Sequence, residues 1–319
     1  MKGKKLKEQK NDKNYMQSAI THTINTIEQL LREQLPESKY QFELYDLVTN
    51  TRHFRGADEP FHWGSVYKLF VAATILKKID LGELSLTDNL ELKGRSKGAG
   101  IFHKLTDFNA ITFLNACKLI IATSDALISD LLFKEASKAQ INKTLTKLEM
   151  TNSLVTDNLE SIITKIQPNN LNSYTTNYLY SEQFYKDYEN TLLQLLTSNF
   201  TTVKDLNTGL HNLCDNFYSE DFKHIFLDVV KMPNVWSRFT QYTFFSSEIK
   251  LYGKTGTLGF GIVANECAII INTKTNSVLG YFSLLTKDNH KTIYQVFDTI
   301  GLIGLEIAKL YEEIYELKK

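Results

Sequence analysis

Residues that favour β-strands are concentrated near the two ends of this 319-residue chain, with a long helical block between them. Near the start, a strand is predicted at 40–48 and a hairpin partner at 52–56. Near the end, three further β-rich segments lie between turns containing Gly or Asn, at 249–256, 261–272 and 277–286. This order favours one sheet built from both ends of the chain, with a helical lobe inserted between its strands.

Apolar residues three or four positions apart predict amphipathic helices at both termini, at 14–34 and 290–317. These helices should cover the outer face of the sheet. Residues 150–175 lack strong periodicity, and we expect them to form a long loop, which inside a compact domain is usually functional. The expected helices of the lobe are 65–79, 110–121, 124–137, 138–148, 176–197 and 219–231.

The fold class is therefore α/β (α+β), an antiparallel sheet covered by terminal helices with an inserted all-helical lobe. The Lys-rich residues 1–13 are expected to form a disordered tail. Residues 14–319 should form one unit, with a sheet part at 14–64 and 245–319 and a helical lobe at about 65–244. A cleft is expected where the lobe meets the sheet.

The charges exclude some partners. Lys plus Arg and Asp plus Glu both number 36, so no net field attracts nucleic acid or an anionic membrane. No segment resembles a secretory signal or a membrane span, so the expected location is cytoplasmic, or secreted or periplasmic if a signal has been trimmed. The three cysteines are Cys117, Cys214 and Cys267, and they lack metal-ligand spacing, so we expect no metal site. We also expect no cofactor and a small-molecule substrate as the partner. The oligomeric state stays open.

Three short motifs carry the chemistry of the chain. They are Ser65-Val-Tyr-Lys68 in a predicted helix, Ser124-Asp125-Ala126 at the start of another, and Lys254-Thr255-Gly256 at the end of a predicted strand. Residues i and i+3 share a helix face, so Lys68 could take the proton of Ser65 and make it a nucleophile. This requires the pKa of Lys68 to fall by roughly three units, which burial and the positive charge of Lys254 would favour.

The remaining motif residues fit the same reaction. Ser124 could relay a proton to the leaving group, and Gly256 would let a substrate approach the strand closely. The backbone amides of Ser65 and Thr257 could form an oxyanion hole, typically worth ~3 kcal/mol per donor.

Each motif alone is weak evidence. The chain contains a second SxxK at Ser247–Lys250 and a second Ser-Asp at Ser129–Asp130. The combination of order, spacing and predicted element distinguishes the first set.

With these residues in place, the chain resembles a class A β-lactamase of the penicillin-recognising serine hydrolase family. The resemblance covers roughly 40–290 and implies the sheet-plus-lobe fold described above. It also implies Ser65, Lys68, Ser124 and Lys254 as catalytic residues. The similar segments are 61–70, 79–88, 98–101, 119–125 and 252–257.

Two departures concern binding and deacylation. The family's second motif normally ends in an Asn that binds the acylamino group of the substrate, and here Ala126 takes that substrate-binding position. Class A enzymes also carry a loop Glu that activates the deacylating water. Matching Pro168 to a loop Pro of the family places Glu160 there as a catalytic base, or alternatively as a solvated loop residue, with Thr164 in place of the usual Asn.

Carboxylate recognition is the third departure. Many members bind the substrate carboxylate with an arginine near the third motif, and Arg238 lies in a comparable region. Thr255 and Thr257 could bind it in part, and Gly256 completes the expected substrate-binding strand.

Some secreted members form a disulfide from the position of Cys117. The partner position in this chain is Ala72, so no bridge can form there, which fits a reduced compartment.

These residues favour a hydrolase acylated at Ser65, acting on a β-lactam or related amide or ester with slow β-lactamase turnover. A penicillin-binding or esterase-like acyl hydrolase is the near alternative, and serine-dependent glutaminases share the fold and an SxxK. A non-catalytic binding protein on the same fold is the alternative from another class.

Overall fold

A five-stranded antiparallel sheet forms the centre of the computed structural model, with strand order β2-β1-β9-β8-β7. The structure describes residues 2–94, 100, 102, 105, 107–166, 198–232, 237–242, 248–258 and 261–316. The strands of the sheet are β1 Lys39–Asp46, β2 Thr51–Gly56, β7 Ile249–Leu258, β8 Val263–Asn272 and β9 Ser277–Lys287. Strands from the start of the chain thus pair with strands from its end through β1 and β9, as the sequence predicts.

Two terminal helices cover the outer face of the sheet. They are α1 Lys2–Gln34 and α9 Ile293–Glu316, which pack against each other. Apolar residues of both, such as Ile24 and Ile307, are fully buried in one core with Phe42 and Phe282 of the sheet. The predicted amphipathic helices at both termini are therefore confirmed.

The inner face of the sheet carries the lobe, whose core is a second apolar cluster. Its helices are α2 Tyr67–Asp80, α3 Phe113–Ala122, α4 Ala126–Ala136, α5 Lys138–Lys147, α6 Leu159–Ile166, α7 Val203–Asp215 and α8 Glu220–Val230. Helix α2 lies in the middle and is buried along most of its length, because α3, α4, α5 and α8 pack around it.

Two of the predicted segments differ from the structure. Residues 2–13 continue α1 instead of forming a disordered tail, in keeping with the good helix propensity of Lys, Glu and Gln. The expected loop 150–175 contains α6, whose turns are anchored by Asp130. Helix α7 was not predicted, although Thr202 caps it and its apolar residues have helical spacing. The predicted helix 176–197 lies outside the described residues.

The lobe is also not all-helical. Two short antiparallel ribbons occur between its helices, one formed by β3 Phe61–His62 with β6 Phe200–Thr201, the other by β4 Asn89–Glu91 with β5 Ala110–Thr112. In the described part of the chain, no helix is both long and apolar enough to cross a membrane.

Candidate active site

Ser65 lies in a single 3-10 turn, Gly64–Val66, that leads directly into α2. His62 fixes the start of this turn, because its ring Nδ1 accepts a hydrogen bond from the Gly64 amide at 3.0 Å. The imidazole is buried, and burial lowers the pKa of His62 to about 3, so the ring stays neutral and can accept. Asn265 of β8 holds the same segment by donating to the His62 carbonyl at 2.6 Å.

Two glycines bring this turn into backbone contact with β7. Gly64 has φ +56°, in the left-handed region, and a Cβ there would lie 2.7 Å from the Gly256 carbonyl carbon and 2.9 Å from the Thr257 nitrogen. A Cβ on Gly256 would lie 2.7 Å from the Ser65 nitrogen. The backbone of the Ser65 turn is therefore in contact with the backbone of β7. The amides of Ser65 and Thr257, which are expected to form the oxyanion hole, lie next to this contact.

Lys68 lies one turn beyond Ser65 and is only 1% exposed. Its Nζ donates to the Ser124 carbonyl oxygen at 2.7 Å and to the Ser124 hydroxyl at 3.1 Å. Ser124 offers both groups because its backbone is left-handed, with φ +57°, a conformation that non-glycine residues adopt rarely and mostly under functional constraint. The first and second motifs thus meet through one ammonium group.

The charge state of Lys68 follows from its burial. Burial lowers the pKa of Lys68 to about 8, against the opposing effect of the Asp130 and Asp125 carboxylates. Lys254 is also fully buried, and its Nζ donates to the Thr255 carbonyl at 3.0 Å. Burial lowers the pKa of Lys254 first of all, followed by the charges of Lys68 and Arg238. Burial, one of the two expected causes, therefore lowers the pKa of Lys68, and the charge interaction between Lys68 and Lys254 lowers the pKa of Lys254.

The family of the chain follows from a comparison with known proteins. A model described as the Beta-lactamase enzyme family matches residues 22–311. The chain belongs to the β-lactamase enzyme family. A comparison with curated proteins found no match.

Solved β-lactamase structures share the fold at low sequence identity. A β-lactamase from Sphaerobacter thermophilus is 17% identical with a TM-score of 0.69, covering 88% of this chain and 95% of its own. The chromosome-encoded β-lactamase of Vibrio parahaemolyticus is 17% identical with a TM-score of 0.70, covering 91% and 99%. PBP-A is 14% identical with a TM-score of 0.67, covering 92% and 97%. The mixed fold with an antiparallel sheet is that of class A β-lactamases.

In the second motif, Asp125 has a structural role in α4, whereas the position expected to bind the substrate is occupied by Ala126. Asp125 caps α4 by accepting from the Ile128 amide at 3.1 Å, and its other oxygen accepts from the Phe102 amide at 3.3 Å. Ala126 is the first residue of α4 and has no exposed surface. The methyl group of Ala126 is enclosed by packing, so it offers no surface to a substrate at the position where the resemblance implies binding.

Arg238 differs from the expected carboxylate-binding arginine. It is 2% exposed, and its guanidinium pairs with Glu266 at 3.0 Å. Its other nitrogens donate to the Asn265 carbonyl at 2.5 Å and to the Thr257 hydroxyl at 3.3 Å. Arg238 is thus committed to holding β8 and Thr257. Thr255 is also buried, so of the two threonines Thr257 keeps more surface for a substrate.

Glu160 lies in the first turn of α6 with its side chain exposed. It lines a pocket of about 510 Å³ together with Asp130, Lys134 and Asn158, and none of the four catalytic candidates lines this pocket. Thr164, expected to stand in place of an Asn, donates instead to the Glu160 carbonyl at 2.8 Å. Glu160 is linked to the other candidates through Asp130, whose Oδ1 accepts from the Glu160 amide at 3.4 Å and whose charge acts on Lys68.

Cys117 is a buried free thiol, and its Sγ lies 4.0 Å from the Ala72 carbonyl oxygen. Ala72 therefore lies next to Cys117 in space, as the resemblance implies.

The second SxxK ends at Lys250 within strand β7, so it lacks the helical geometry of the first; Ser247 lies outside the described residues. Ser129 is buried, and its hydroxyl donates to the Asp125 carbonyl.

Sequence reasoning missed His62, Asn265 and Asp130. His62 and Asn265 hold the Gly64–Val66 turn that contains Ser65. Asp130 anchors α6 by accepting from the Leu159 amide at 2.8 Å. The one available signal was the position of His62, three residues before Ser65. For the other two, the role depends on contacts between distant elements.

Proposed function

We propose that the chain is a serine hydrolase that acts through an acyl-enzyme on Ser65, with a β-lactam or a related amide or ester as substrate. The observation that carries this proposal is the backbone contact of Gly256 with the Ser65 turn, next to a buried Lys68 held by Ser124. The backbone contact supports a role for the Ser65 and Thr257 amides as an oxyanion hole, and the buried amine of Lys68 supports its role as the base. Family membership supports the same reaction type.

In the proposed acylation, the Ser65 oxygen attacks the substrate carbonyl carbon while its proton passes to neutral Lys68. The carbonyl oxygen becomes negatively charged and accepts from the Ser65 and Thr257 amides. Lys68 then passes the proton through Ser124 to the leaving nitrogen or oxygen, which departs as the carbonyl re-forms. The hydrogen bond from Lys68 to the Ser124 hydroxyl supplies that path.

We propose that hydrolysis of the acyl-enzyme is slow. It needs a base that positions a water on the ester. Glu160 is the carboxylate expected to supply this base, but its side chain is exposed and Thr164 stands in place of the Asn that would help to hold the water.

The near alternative is a penicillin-binding or esterase-like acyl hydrolase whose substrate is not a β-lactam. The enclosed Ala126 favours this alternative, because no side-chain amide at residue 126 can hold an acylamino group. A solved variant of PBP-A contains penicillin G as an acyl-enzyme.

Intact-mass measurement after exposure to a penicillin and, separately, to a generic activated ester tests the proposal. We expect one acyl group per protein, mapped by peptide digestion to Ser65 and absent in Ser65→Ala. The control Ser247→Ala should acylate like the parent. Acylation by the ester alone would favour the esterase-like alternative. Absence of any adduct would leave a non-catalytic binding protein and overturn the proposal.

A further inference from the structure

Asp130 of α4 is a partly buried carboxylate. One of its oxygens accepts hydrogen bonds, and the other has no hydrogen-bond partner among the described residues. Its Oδ1 accepts from the Leu159 amide at 2.8 Å and from the Glu160 amide at 3.4 Å, which anchors the start of α6. Its Oδ2 is buried and has no hydrogen-bond partner in the described part of the chain. A buried carboxylate oxygen without a partner is costly unless a positive charge lies nearby.

Asp130 lies on α4, which packs against α2. Phe133, three residues after Asp130 and so on the same side of α4, packs edge-on against Tyr67 with ring centroids 6.5 Å apart. Tyr67 precedes Lys68, and its hydroxyl is also buried without a partner among the described residues. Lys68 itself is fixed to Ser124, just before α4 begins. Asp130 and Lys68 therefore flank one packed contact between α2 and α4.

The charges of Asp130 and Lys68 each affect the pKa of the other group. Asp130 is the carboxylate with the larger opposing effect on the pKa of Lys68, ahead of Asp125. Burial raises the pKa of Asp130 to about 6, while the two α6 amides and then Lys68 lower it, and Glu160 raises it. Asp130 also raises the pKa of Tyr67, together with Asp157. On the β7 side, the charged group that interacts with Lys68 is Lys254.

We propose that Asp130 is the counter-ion of Lys68 and so sets the pH at which Lys68 can accept the Ser65 proton. Asp130 is a positioning residue in this proposal, because it acts through Lys68 and not on the substrate. An ionised Asp130 favours the ammonium form of Lys68, which cannot take a proton. Acylation at neutral pH is therefore slower than burial of Lys68 alone would allow. The kinetic consequence rests on the proposed function, whereas the electrostatic interaction between Asp130 and Lys68 does not.

The variant Asp130→Asn tests this relation with little structural change. Its amide oxygen can still accept from the Leu159 and Glu160 amides, so the anchor of α6 is kept while the charge is lost. NMR titration of ¹³C-labelled lysine side chains, with the Lys68 signal assigned by its loss in Lys68→Ala, measures the effect without a substrate. We expect the Lys68 titration midpoint to fall by about one pH unit or more, the range usual for a nearby opposite charge. In the parent, the same signal should show a second, smaller inflection near pH 6.

Acylation kinetics provide the second readout. The pH profile of acylation should move down by the same amount, which makes Asp130→Asn about tenfold faster below the midpoint for a one-unit shift. A purely structural role would slow the reaction instead. The matched control is Asp157→Asn, which removes a neighbouring carboxylate that acts on Tyr67 and His62. It should leave the Lys68 midpoint within about 0.3 unit of the parent.

The two proposals fail separately. An unchanged Lys68 midpoint in Asp130→Asn, or an equal shift in Asp157→Asn, overturns the counter-ion. A normal midpoint shift without acylation of any variant supports the counter-ion and overturns the proposed function. If Asp130→Asn does not fold, Asp130→Ser makes the same test, because its hydroxyl oxygen can accept an α6 amide. The pH 6 inflection of the parent needs no variant, and its absence counts against the pair.

Discussion

Gly256 of β7 lies so close to Ser65 that a Cβ at residue 256 would be 2.7 Å from the Ser65 nitrogen and 2.9 Å from the Val66 nitrogen. Real Cβ atoms do not come so close to backbone, so one of the two segments would have to move. The position of Ser65, the proposed nucleophile, is therefore set by a glycine in a strand almost 200 residues away along the chain. Strand β7 also supplies Lys254 and the Thr257 amide, so it controls three parts of the site.

The variant Gly256→Ala tests this contact. We expect acylation to fall by about 100-fold or more, because the added methyl group displaces one of the two oxyanion amides. Stopped-flow measurement of single-turnover acylation, with folding checked by circular dichroism, gives the result. The matched control is Gly253→Ala, where a Cβ would clash with the Cys267 carbonyl in β8 and not with Ser65. It should cost stability but keep acylation of the folded protein within about threefold; equal losses in both variants would refute a specific role for Gly256.

The four catalytic candidates illustrate what a sequence can predict. Ser65 and Lys68 are one helical turn apart, so their proximity follows from local geometry alone. The meeting of Lys68 with Ser124 is a long-range contact, and only the order of motifs typical of the family predicted it. The sheet built from both chain ends was equally predictable, because the strand segments have strong local patterns.

Other features depend on packing and were not predictable in the same way. Nothing local in the sequence indicates that Ala126 and Thr255 are enclosed, that Arg238 is committed to Glu266, or that Asp130 has a free buried oxygen. Each property arises from elements distant along the chain. Helix α7 is different, since its cap at Thr202 and its apolar spacing were readable and were missed.

The pH dependence of acylation follows from Lys68. Burial lowers the pKa of Lys68 to about 8, and in the proposed acylation the neutral amine accepts the Ser65 proton. Acylation should therefore rise about tenfold per pH unit below pH 8 and level off above it. Lys68→Ala should remove both the reaction and its pH dependence. Single-turnover rates between pH 5.5 and 9.5 check this; a flat profile in the parent would show that Lys68 is not the base.

The buried pair of Arg238 and Glu266 should matter for stability. Glu266 accepts from the Arg238 side chain and from the amides of Arg238 and Phe239, and both side chains are nearly inaccessible. Glu266→Gln leaves a buried guanidinium without a counter-charge, so the free energy of unfolding should fall by about 3 kcal/mol or more. Urea denaturation measures this change. The control Glu306→Gln, at the exposed pair with Lys309, should change it by less than about 1 kcal/mol.

Turnover of a chromogenic cephalosporin should be biphasic. The proposed acylation has the groups it needs in Ser65, Lys68 and Ser124, whereas the expected deacylating base, Glu160, is exposed and lacks an Asn beside it to help hold the water. Without a positioned base, the second step loses several kcal/mol of transition-state stabilisation, and even 4 kcal/mol slows it about a thousandfold. Stopped-flow absorbance should therefore show a burst of about one equivalent of product per protein, followed by a slow linear phase. Because the Glu160 side chain is exposed and has Thr164 in place of the Asn that would help to hold a water, Glu160→Gln should change neither phase by more than about threefold. Rapid linear turnover that disappears in Glu160→Gln would instead identify Glu160 as the working base.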